Sequence, residues 1–242
     1  MPTEFGRKHV HGERSKPFRP SMIFKALAAM VLLILLALAA YAGFGYFDAL
    51  RDSDGLKQRA AGLMASQRGP DDLTQRKLHQ LLAVEDPAFW RHNGFDVETK
   101  GAGLTTITQS LAKRLAFEDF EPGIGKIRQT TYALGLEQRL SKKEILALAL
   151  ETVQMGPGPD GWMEGMFDAS MQIYGKPPAA LSDHQWLKLV AVLIAPRQFN
   201  LQAPDKPLED RVARIERLLA GRCAAQDERD VWLDRCGPAA AH

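Results

Sequence analysis

Residues 84–96 read VEDPAFWRHNGFD. The apolar helical face with Leu81 and Leu82 leads into this stretch, so we expect the carboxylate of Glu85 to emerge at a helix end beside hydrophobic side chains. Such a setting disfavours the ionised form and raises the pKa of a carboxyl group, which suits general acid or base catalysis near neutral pH. A helix C-terminal turn with solvated acidic side chains would give the same pattern.

A second segment with chemical potential, residues 101–113, reads GAGLTTITQSLAK. Glycine-rich backbone that leads into a helix can present N–H donors to a phosphate, and the hydroxyls of Thr105 and Thr106 add further donors. Lys113 ends the run as a cation on the same helix. A glycine-broken loop followed by an ordinary capped helix explains this pattern equally well.

The two segments together resemble glycosyltransferase family 51, which contains the peptidoglycan polymerases. The first motif of that family, E-D-x-x-F-x-x-H-x-G-x-D, is matched by Glu85, Asp86, Phe89, His92, Gly94 and Asp96. The second motif, GGSTITQQLAK, is similar to residues 103–113, and the third is similar to residues 126–137. The resemblance covers residues 70–205 in the order of the family.

The resemblance implies a mainly α, lysozyme-like glycosyltransferase domain. Its implied reaction polymerises lipid II, a disaccharide-pentapeptide on undecaprenyl pyrophosphate, into glycan strands. Glu85 corresponds to the general base that activates the acceptor hydroxyl, which then attacks the anomeric carbon of the donor with inversion. The phosphate-holding cations of the family correspond to Lys113, Lys126 and Arg128. The other substrate-binding positions correspond to Asp86, His92, Thr105, Thr106 and Gln109, although the histidine of this motif is more often a structural hydrogen-bonding residue.

The family also implies a divalent cation, Mg²⁺ or Mn²⁺, on the pyrophosphate, but no metal-ligand cluster in the sequence requires one. The implied partners are lipid II, the nascent glycan strand, the membrane and other cell-wall synthases. No transpeptidase serine motif follows the domain, so we expect a monofunctional enzyme rather than a bifunctional penicillin-binding protein.

The sequence departs from the family at positions that matter for catalysis. The second glutamate of the family falls on Gln129, which keeps the shape and hydrogen bonding but carries no negative charge. Leu104 and Ser110 replace two further motif residues. An alternative therefore stands beside the polymerase, namely a degenerate domain that binds lipid II or a cell-wall synthase without polymerising. In an active domain, either Gln129 partly substitutes for the missing acid or another residue, Asp168 or Glu164, takes that role.

Residues 26–47 contain no charged side chain. As a helix these residues would reach roughly 33 Å, enough to cross a hydrocarbon core of roughly 30 Å. The run ends in aromatic residues typical of a membrane interface: Tyr41, Phe44, Tyr46 and Phe47. Residues 1–25 hold six basic against two acidic side chains, so we expect them to stay in the cytoplasm of a bacterium. The chain beyond this single inner-membrane anchor would then lie in the periplasm; a buried core helix or a cleavable signal peptide is the alternative.

The remaining pattern predicts helices, with few strand signals. Residues 48–69 are polar and indicate a juxtamembrane linker with some helix, whereas residues 206–242 indicate a helical C-terminal tail. Asp71 and Asp72 are candidate N-caps of the first helix of the domain.

Two further segments have recognisable local signals. Ser141 and Glu144 match a capping box that opens another helix. Residues 117–125, FEDFEPGIG, predict a mobile loop near the membrane surface.

Composition narrows the class of protein. A formal net charge of +2 lacks the basic surplus typical of nucleic-acid-binding proteins, so we expect no nucleic acid partner. The two cysteines, Cys223 and Cys236, can bridge in an oxidising periplasm, and two unpaired buried thiols are the alternative. No Cys/His spacing in the chain indicates a zinc site.

Overall fold

The computed structural model describes residues 22–101 and 103–236. Most of the predicted cytoplasmic segment, residues 1–25, therefore lies outside the described residues. The chain divides after Ala40 into two units, the first ending at that residue and the second running from Tyr41 onward.

The first unit is described as the start of a long helix, α1, which runs from Met22 to Ala65. Its apolar side chains are exposed; Leu33, for example, retains 66% of its accessible surface. By length and composition this helix could cross a membrane, and its most apolar window is unburied, unlike that of a core helix. The structure therefore favours the predicted anchor over the buried-helix alternative.

The second unit begins with the C-terminal part of α1, where the sequence indicates a juxtamembrane linker with some helix over residues 48–69. The helical part of this prediction is confirmed, but the segment packs on the domain rather than linking it to the anchor. The helix continues to Ala65 and buries one face in the domain. The buried positions repeat at intervals of four and three residues: Ala49, Ser53, Ala60 and Leu63, with Leu56 partly buried between them. The polar composition of the segment hid this amphipathic pattern, because charged residues such as Asp48 and Asp52 also contact the domain, where they bind Arg128 and Tyr132.

The rest of the second unit is mainly helical. Its helices are α2 (Gln75–Glu85), α3 (Ile107–Ala116), α4 (Gly125–Arg139), α5 (Lys142–Thr152), α6 (Met166–Tyr174), α7 (Asp183–Val192) and α8 (Lys206–Leu219). Short 3₁₀ turns lie at Pro70–Asp72, Pro178–Ala180 and Asp234–Cys236. This agrees with the mainly α class expected from the sequence.

Helix starts follow local hydrogen-bonding chemistry. The predicted capping box is confirmed: the Ser141 hydroxyl accepts from the Glu144 amide, and the Ser141 amide donates to the Glu144 carboxylate. The prediction that Asp71 or Asp72 is the N-cap of α2 was wrong. The N-cap is Thr74, whose side chain accepts from the Lys77 amide. Asp72 instead belongs to the preceding 3₁₀ turn and accepts from the amide of Gly69.

A hairpin that the sequence analysis missed separates α5 from α6. Strand β1 (Gln154–Gly158) pairs antiparallel with β2 (Gly161–Glu164) through a turn at Pro159 and Asp160. Pro-Asp-Gly is a strong turn signal, but glycine and proline in such short strands conceal any alternation of apolar and polar residues.

Two apolar cores hold the domain together. The first joins the buried face of α1 to α2–α5 through side chains such as Leu111, Tyr132 and Leu146. The second is centred on α7 and includes Leu208, Val212 and Ile215 of α8, all fully buried. The predicted C-terminal tail is therefore a component of the core from its first turn.

A disulfide joins Cys223 to Cys236. Leu233 and Cys236 are buried against the second core, so the chain beyond α8 returns to the domain. A loop of this length closed by a disulfide typically contributes about 3 kcal/mol, mainly by restricting the unfolded chain.

Helices α1 and α4 approach each other at glycine positions. A Cβ atom at Gly135 would lie 2.7 Å from the Cβ of Ala49 and 2.8 Å from the carbonyl oxygen of Tyr46. The Tyr132 hydroxyl reinforces the contact by donating to Asp52 at 2.9 Å. The close approach of α1 and α4 therefore depends on the lack of a side chain at Gly135.

We predict that Gly135→Ala lowers the free energy of unfolding by about 1–3 kcal/mol, because the added methyl group overlaps backbone atoms of α1. The measurement is thermal or chemical unfolding of the full chain in detergent. Gly62→Ala is the matched control, since its Cβ would meet nothing within 4 Å. Equal effects of the two substitutions would contradict the close contact.

Candidate active site

A cleft of about 340 Å³ lies between α2, α3, α5 and the hairpin. Its apolar wall includes Leu81, Leu146, Leu150 and Met166. Its polar wall includes Glu85, Thr105, Ser110, Lys113, Arg114 and Gln154. The first two sequence motifs therefore meet in one cavity, whose lining contains the acid Glu85 and the cations Lys113 and Arg114.

Glu85 is the last residue of α2 and is partly buried in this cleft. Burial away from water is the main reason why its pKa rises from 4.5 to about 7. The positive charge of Arg211 opposes this rise, Asp86 adds to it, and Arg114 opposes it. A carboxyl group of this kind can exchange a proton near neutral pH, as the sequence analysis expected.

Asp86 lies behind Glu85 and organises the backbone around it. Both its oxygens lie 3.0 Å from Nε2 of His92, and Oδ2 accepts from the amide of Ile107 at 2.9 Å. Nδ1 of His92 accepts from the amide of Gly94, so the ring proton is on Nε2 and is donated to Asp86. Asp86 is 1% exposed and the His92 side chain 7%, and neither lines the cleft.

Thr106 and Gln109 also form hydrogen bonds that hold the backbone near Asp86 and His92. Together they form the capping box of α3, in which the Thr106 amide donates to Oε1 of Gln109. The Thr106 hydroxyl donates to the carbonyl of Gly94, and Nε2 of Gln109 donates to the Thr130 hydroxyl. Their polar atoms are thus used within the protein.

The cations of the cleft wall come from α3 and α4. Nζ of Lys126 donates to the Thr105 hydroxyl at 2.7 Å, and Nζ of Lys113 lies 5.0 Å from the ring centre of Phe120. Burial, and then the charge of Lys113, lower the pKa of Lys126. Two ammonium groups that repel each other in this way are a suitable site for an anion, which would relieve the repulsion.

The structure places Arg128 away from the cleft wall. Its guanidinium pairs with Asp48 of α1 at 3.0 Å and lies 5.2 Å from the ring centre of Phe117. The predicted loop, residues 117–125, therefore carries two aromatic rings, Phe117 and Phe120, against predicted phosphate-binding cations.

Gln129 does not face Glu85 across the cleft. Its side chain is 1% exposed, its Nε2 donates to the carbonyl of Gln109 at 2.8 Å, and its Oε1 is buried without a partner. Of the two other carboxylates considered as substitutes, Asp168 is ion-paired with Arg68. Glu164 is exposed on β2, and its negative charge partly opposes the lowering of the Arg114 pKa by burial.

Two arginines near Glu85 were missed by the sequence analysis. Arg114 lines the cleft and donates through Nε to the Thr152 hydroxyl, and burial lowers its pKa to about 10. Arg211 of α8 is 1% exposed and donates through Nη1 to the carbonyl of Val231. Arg114 directly follows the second motif, but no local signal could have connected α8 with Glu85.

The described residues contain no group of three or more His, Cys, Asp or Glu side chains that could hold a metal ion. The cleft wall instead presents Lys113 and Arg114, with Lys126 hydrogen-bonded to the wall residue Thr105, and these charges repel Mg²⁺ and Mn²⁺. The residues present therefore do not fit a protein-held divalent cation.

Comparison with known proteins shows a similarity to peptidoglycan transglycosylases. The chain is 32% identical over 150 residues to a biosynthetic peptidoglycan transglycosylase of Escherichia coli, covering 57% of this chain and 60% of that protein. It shows the same identity and coverage with the Citrobacter koseri protein of that name. It is 28% identical over 182 residues to penicillin-binding protein 2a of Streptococcus pneumoniae, covering 70% of this chain and 24% of that protein.

The chain thus aligns with about 60% of the length of the transglycosylases it matches. Residues 65–220 match the sequence model of the family described as Transglycosylase. The match begins at the end of α1 and includes every helix from α2 to α8. The chain belongs to the transglycosylase family.

Proposed function

We propose that this protein is a membrane-anchored peptidoglycan glycosyltransferase that polymerises lipid II into glycan strands. The observation that carries the proposal is the pairing, in one cleft, of a carboxyl group whose pKa is about 7 with a wall of cations. A lipid-linked pyrophosphate donor needs both features, because one reacting group must lose a proton and the other leaves as an anion.

Glu85 acts as the general base. Near neutral pH about half or more of its carboxyl groups are ionised, and the raised pKa makes the carboxylate a stronger base than an exposed glutamate. It removes the proton from the acceptor sugar hydroxyl as that oxygen attacks the anomeric carbon of the donor. The bond from this carbon to the pyrophosphate oxygen breaks on the opposite face, so the configuration inverts.

The cations stabilise the leaving pyrophosphate. Lys113 and Arg114 lie on the cleft wall, and Lys126 is held beside it by Thr105. Because burial strengthens electrostatic interactions, these charges lower the energy of the developing anion more than exposed cations would. A divalent cation, where one takes part, would be held by the pyrophosphate of the substrate rather than by a cluster of acidic side chains.

The membrane and compartment follow from the same proposal. The exposed apolar part of α1 serves as a single-pass anchor in the inner membrane of a bacterium, and the domain that contains the cleft lies in the periplasm. The disulfide between Cys223 and Cys236 supports an oxidising compartment. Contacts with other cell-wall synthases stay a prediction.

The alternative of a degenerate, non-catalytic domain has less support. Its main argument was the replacement of a family glutamate by Gln129, but this side chain packs between α3 and α4 and does not line the cleft. The substitution therefore removes no charge from the cleft wall of this chain.

We predict that the purified full chain in detergent forms glycan polymer from labelled lipid II, separated by gel electrophoresis. Glu85→Gln should lower the rate at least about 100-fold, because the amide cannot accept the proton. The wild-type rate should rise with pH through a midpoint near 7, as Glu85 ionises. Glu98→Gln, at an exposed position, is the control. Polymer formation by Glu85→Gln at the wild-type rate would contradict the assignment.

The raised pKa of Glu85 also predicts how stability depends on pH. Between pH 4.5 and about 7 the folded state binds more protons than the unfolded state, so the free energy of unfolding falls as pH rises through this window. Glu85→Gln removes the buried charge and should stabilise the chain by about 1–3 kcal/mol at pH 8 but little at pH 4. Unfolding at both pH values tests this; an equal effect at both would show that Glu85 titrates normally.

A third prediction concerns the missing glutamate. Gln129→Glu should lower the free energy of unfolding by about 1–3 kcal/mol, because it replaces a buried donor to the Gln109 carbonyl with a carboxyl group. It should not raise the polymerisation rate, since the position does not line the cleft. Unfolding and polymerisation assays measure the two effects. A large gain of activity would show that the site of this chain had decayed and that Gln129 stands in for a catalytic acid.

A further inference from the structure

The chain segment closed by the disulfide, residues 223–236, is here named the C-terminal loop. It contacts the segment that precedes α3 through the backbone. The amide of Gly101 donates to the carbonyl of Asp227, and the amide of Gly103 donates to the carbonyl of Glu228, both at 2.8 Å. The C-terminal loop thus holds the segment that leads into the second motif.

The contact is close enough to require glycine at both positions. Gly101 has φ +76° and Gly103 φ +72°, in the left-handed region that glycine favours. A Cβ at Gly101 would lie 2.7 Å from the Cβ of Ala225, and one at Gly103 would lie 3.0 Å from Cγ1 of Val231. These glycines therefore serve the approach of the C-terminal loop.

The supported segment leads directly into the cleft. Two residues after Gly103, the Thr105 hydroxyl accepts from Nζ of Lys126. The next residue, Thr106, caps α3, whose first amide, that of Ile107, donates to Asp86 behind Glu85. A shift of the segment before α3 would move both the cation side and the acid side of the cleft.

The C-terminal loop also holds Arg211. The carbonyl of Val231 accepts from Nη1 of this buried side chain at 2.9 Å, and the ring centre of Trp232 lies 5.6 Å from its guanidinium carbon. Nε of Arg211 is buried without a hydrogen-bond partner. The contacts described for this guanidinium are therefore those with the C-terminal loop. Arg211 in turn faces Glu85, on which its charge acts directly.

We propose that the C-terminal loop is a positioning element of the active site, and that the Cys223–Cys236 disulfide keeps its contacts with Gly101, Gly103 and Arg211 in place. This inference rests on the proposed function for its effect on catalysis. The contacts themselves can be tested without any substrate.

The pH dependence offers a readout that a merely structural role would not move. The charged groups that face Glu85 are Asp86 next to it, Arg114 from α3 and Arg211 from α8. Only Arg211 of these three is held by the C-terminal loop. Release of the loop would weaken the influence of this cation, so the pKa of Glu85 would rise further.

The experiment compares the full chain in detergent before and after reduction by dithiothreitol. Two electrons and two protons pass from this dithiol, which becomes a cyclic disulfide, to the sulfurs of Cys223 and Cys236. Hydrogen exchange followed by mass spectrometry should show at least about tenfold faster exchange in residues 101–104 after reduction. The polymerisation rate at pH 7 should fall at least about threefold, and its midpoint should move to higher pH.

Matched variants separate the disulfide from side effects of the reductant. The double variant Cys223→Ser/Cys236→Ser should behave like the reduced protein and should not respond to dithiothreitol. Arg222→Gln changes an exposed side chain just outside this loop and should leave exchange in residues 101–104 and the pH profile unchanged. A response of the double variant to the reductant would contradict a role for the disulfide.

A second pair of variants covers the case in which the cysteine variant does not fold. Gly101→Ala leaves the disulfide intact but places a methyl group against Ala225, so it should also speed exchange in residues 101–104. Adding Ala225→Gly removes this overlap and should restore part of the protection. Absence of any such rescue would overturn the proposed contact.

Unchanged exchange in residues 101–104 after reduction would overturn the inference, whether or not the chain polymerises lipid II. If the wild-type chain forms no polymer, the proposed function fails, while the exchange measurement still decides the role of the loop. In that case the pH dependence of unfolding, compared between oxidised and reduced chain, replaces the rate profile as the readout for Glu85.

Discussion

The Asp86 carboxylate is the point on which the catalytic geometry depends. It joins three separate parts of the chain, because it follows the end of α2, binds Nε2 of His92 and accepts from the first amide of α3. Glu85, its neighbour in sequence, is thereby held in the wall of the cleft, and no described hydrogen bond uses its own oxygens. Asp86 therefore has a structural role, and the adjacent Glu85 is available for proton transfer.

Burial shifts the pKa values of the acidic and basic groups around the cleft in opposite directions. It raises the pKa of Glu85 and lowers the pKa of Arg114 and Lys126, because in each case water no longer stabilises the charged form. The arginines near Glu85 limit its rise and keep it close to 7 rather than far above. A base that is half ionised near neutral pH is thus the result of desolvation balanced against Arg211 and Arg114.

Local sequence predicted what local chemistry determines. The capping box at Ser141, the helix end at Glu85 and the setting that raises its pKa follow from neighbouring residues, and the motifs identified the family. The path of residues 48–65, the position of Arg211 and the contact with the C-terminal loop depend on partners far away in sequence. The motifs also assigned substrate contacts to Asp86, His92 and Gln109, whose polar atoms the structure uses within the protein. A motif indicates that a residue is needed. It does not show whether that residue contacts the substrate or positions another residue that does.

The same distinction applies to Gln129, whose role in this chain is one of packing. A glutamate at a position that packs between α3 and α4 would need a cation or a proton to be tolerated, whereas an amide is neutral and can donate to the Gln109 carbonyl there. Of the two cations in the third motif, Lys126 donates to Thr105 and Arg128 is paired with Asp48 of α1. No described contact supplies a positive charge to a carboxylate at position 129. The amide is therefore the residue that this packing accommodates, and the charges that act on Glu85 come from Arg211, Asp86 and Arg114 rather than from position 129.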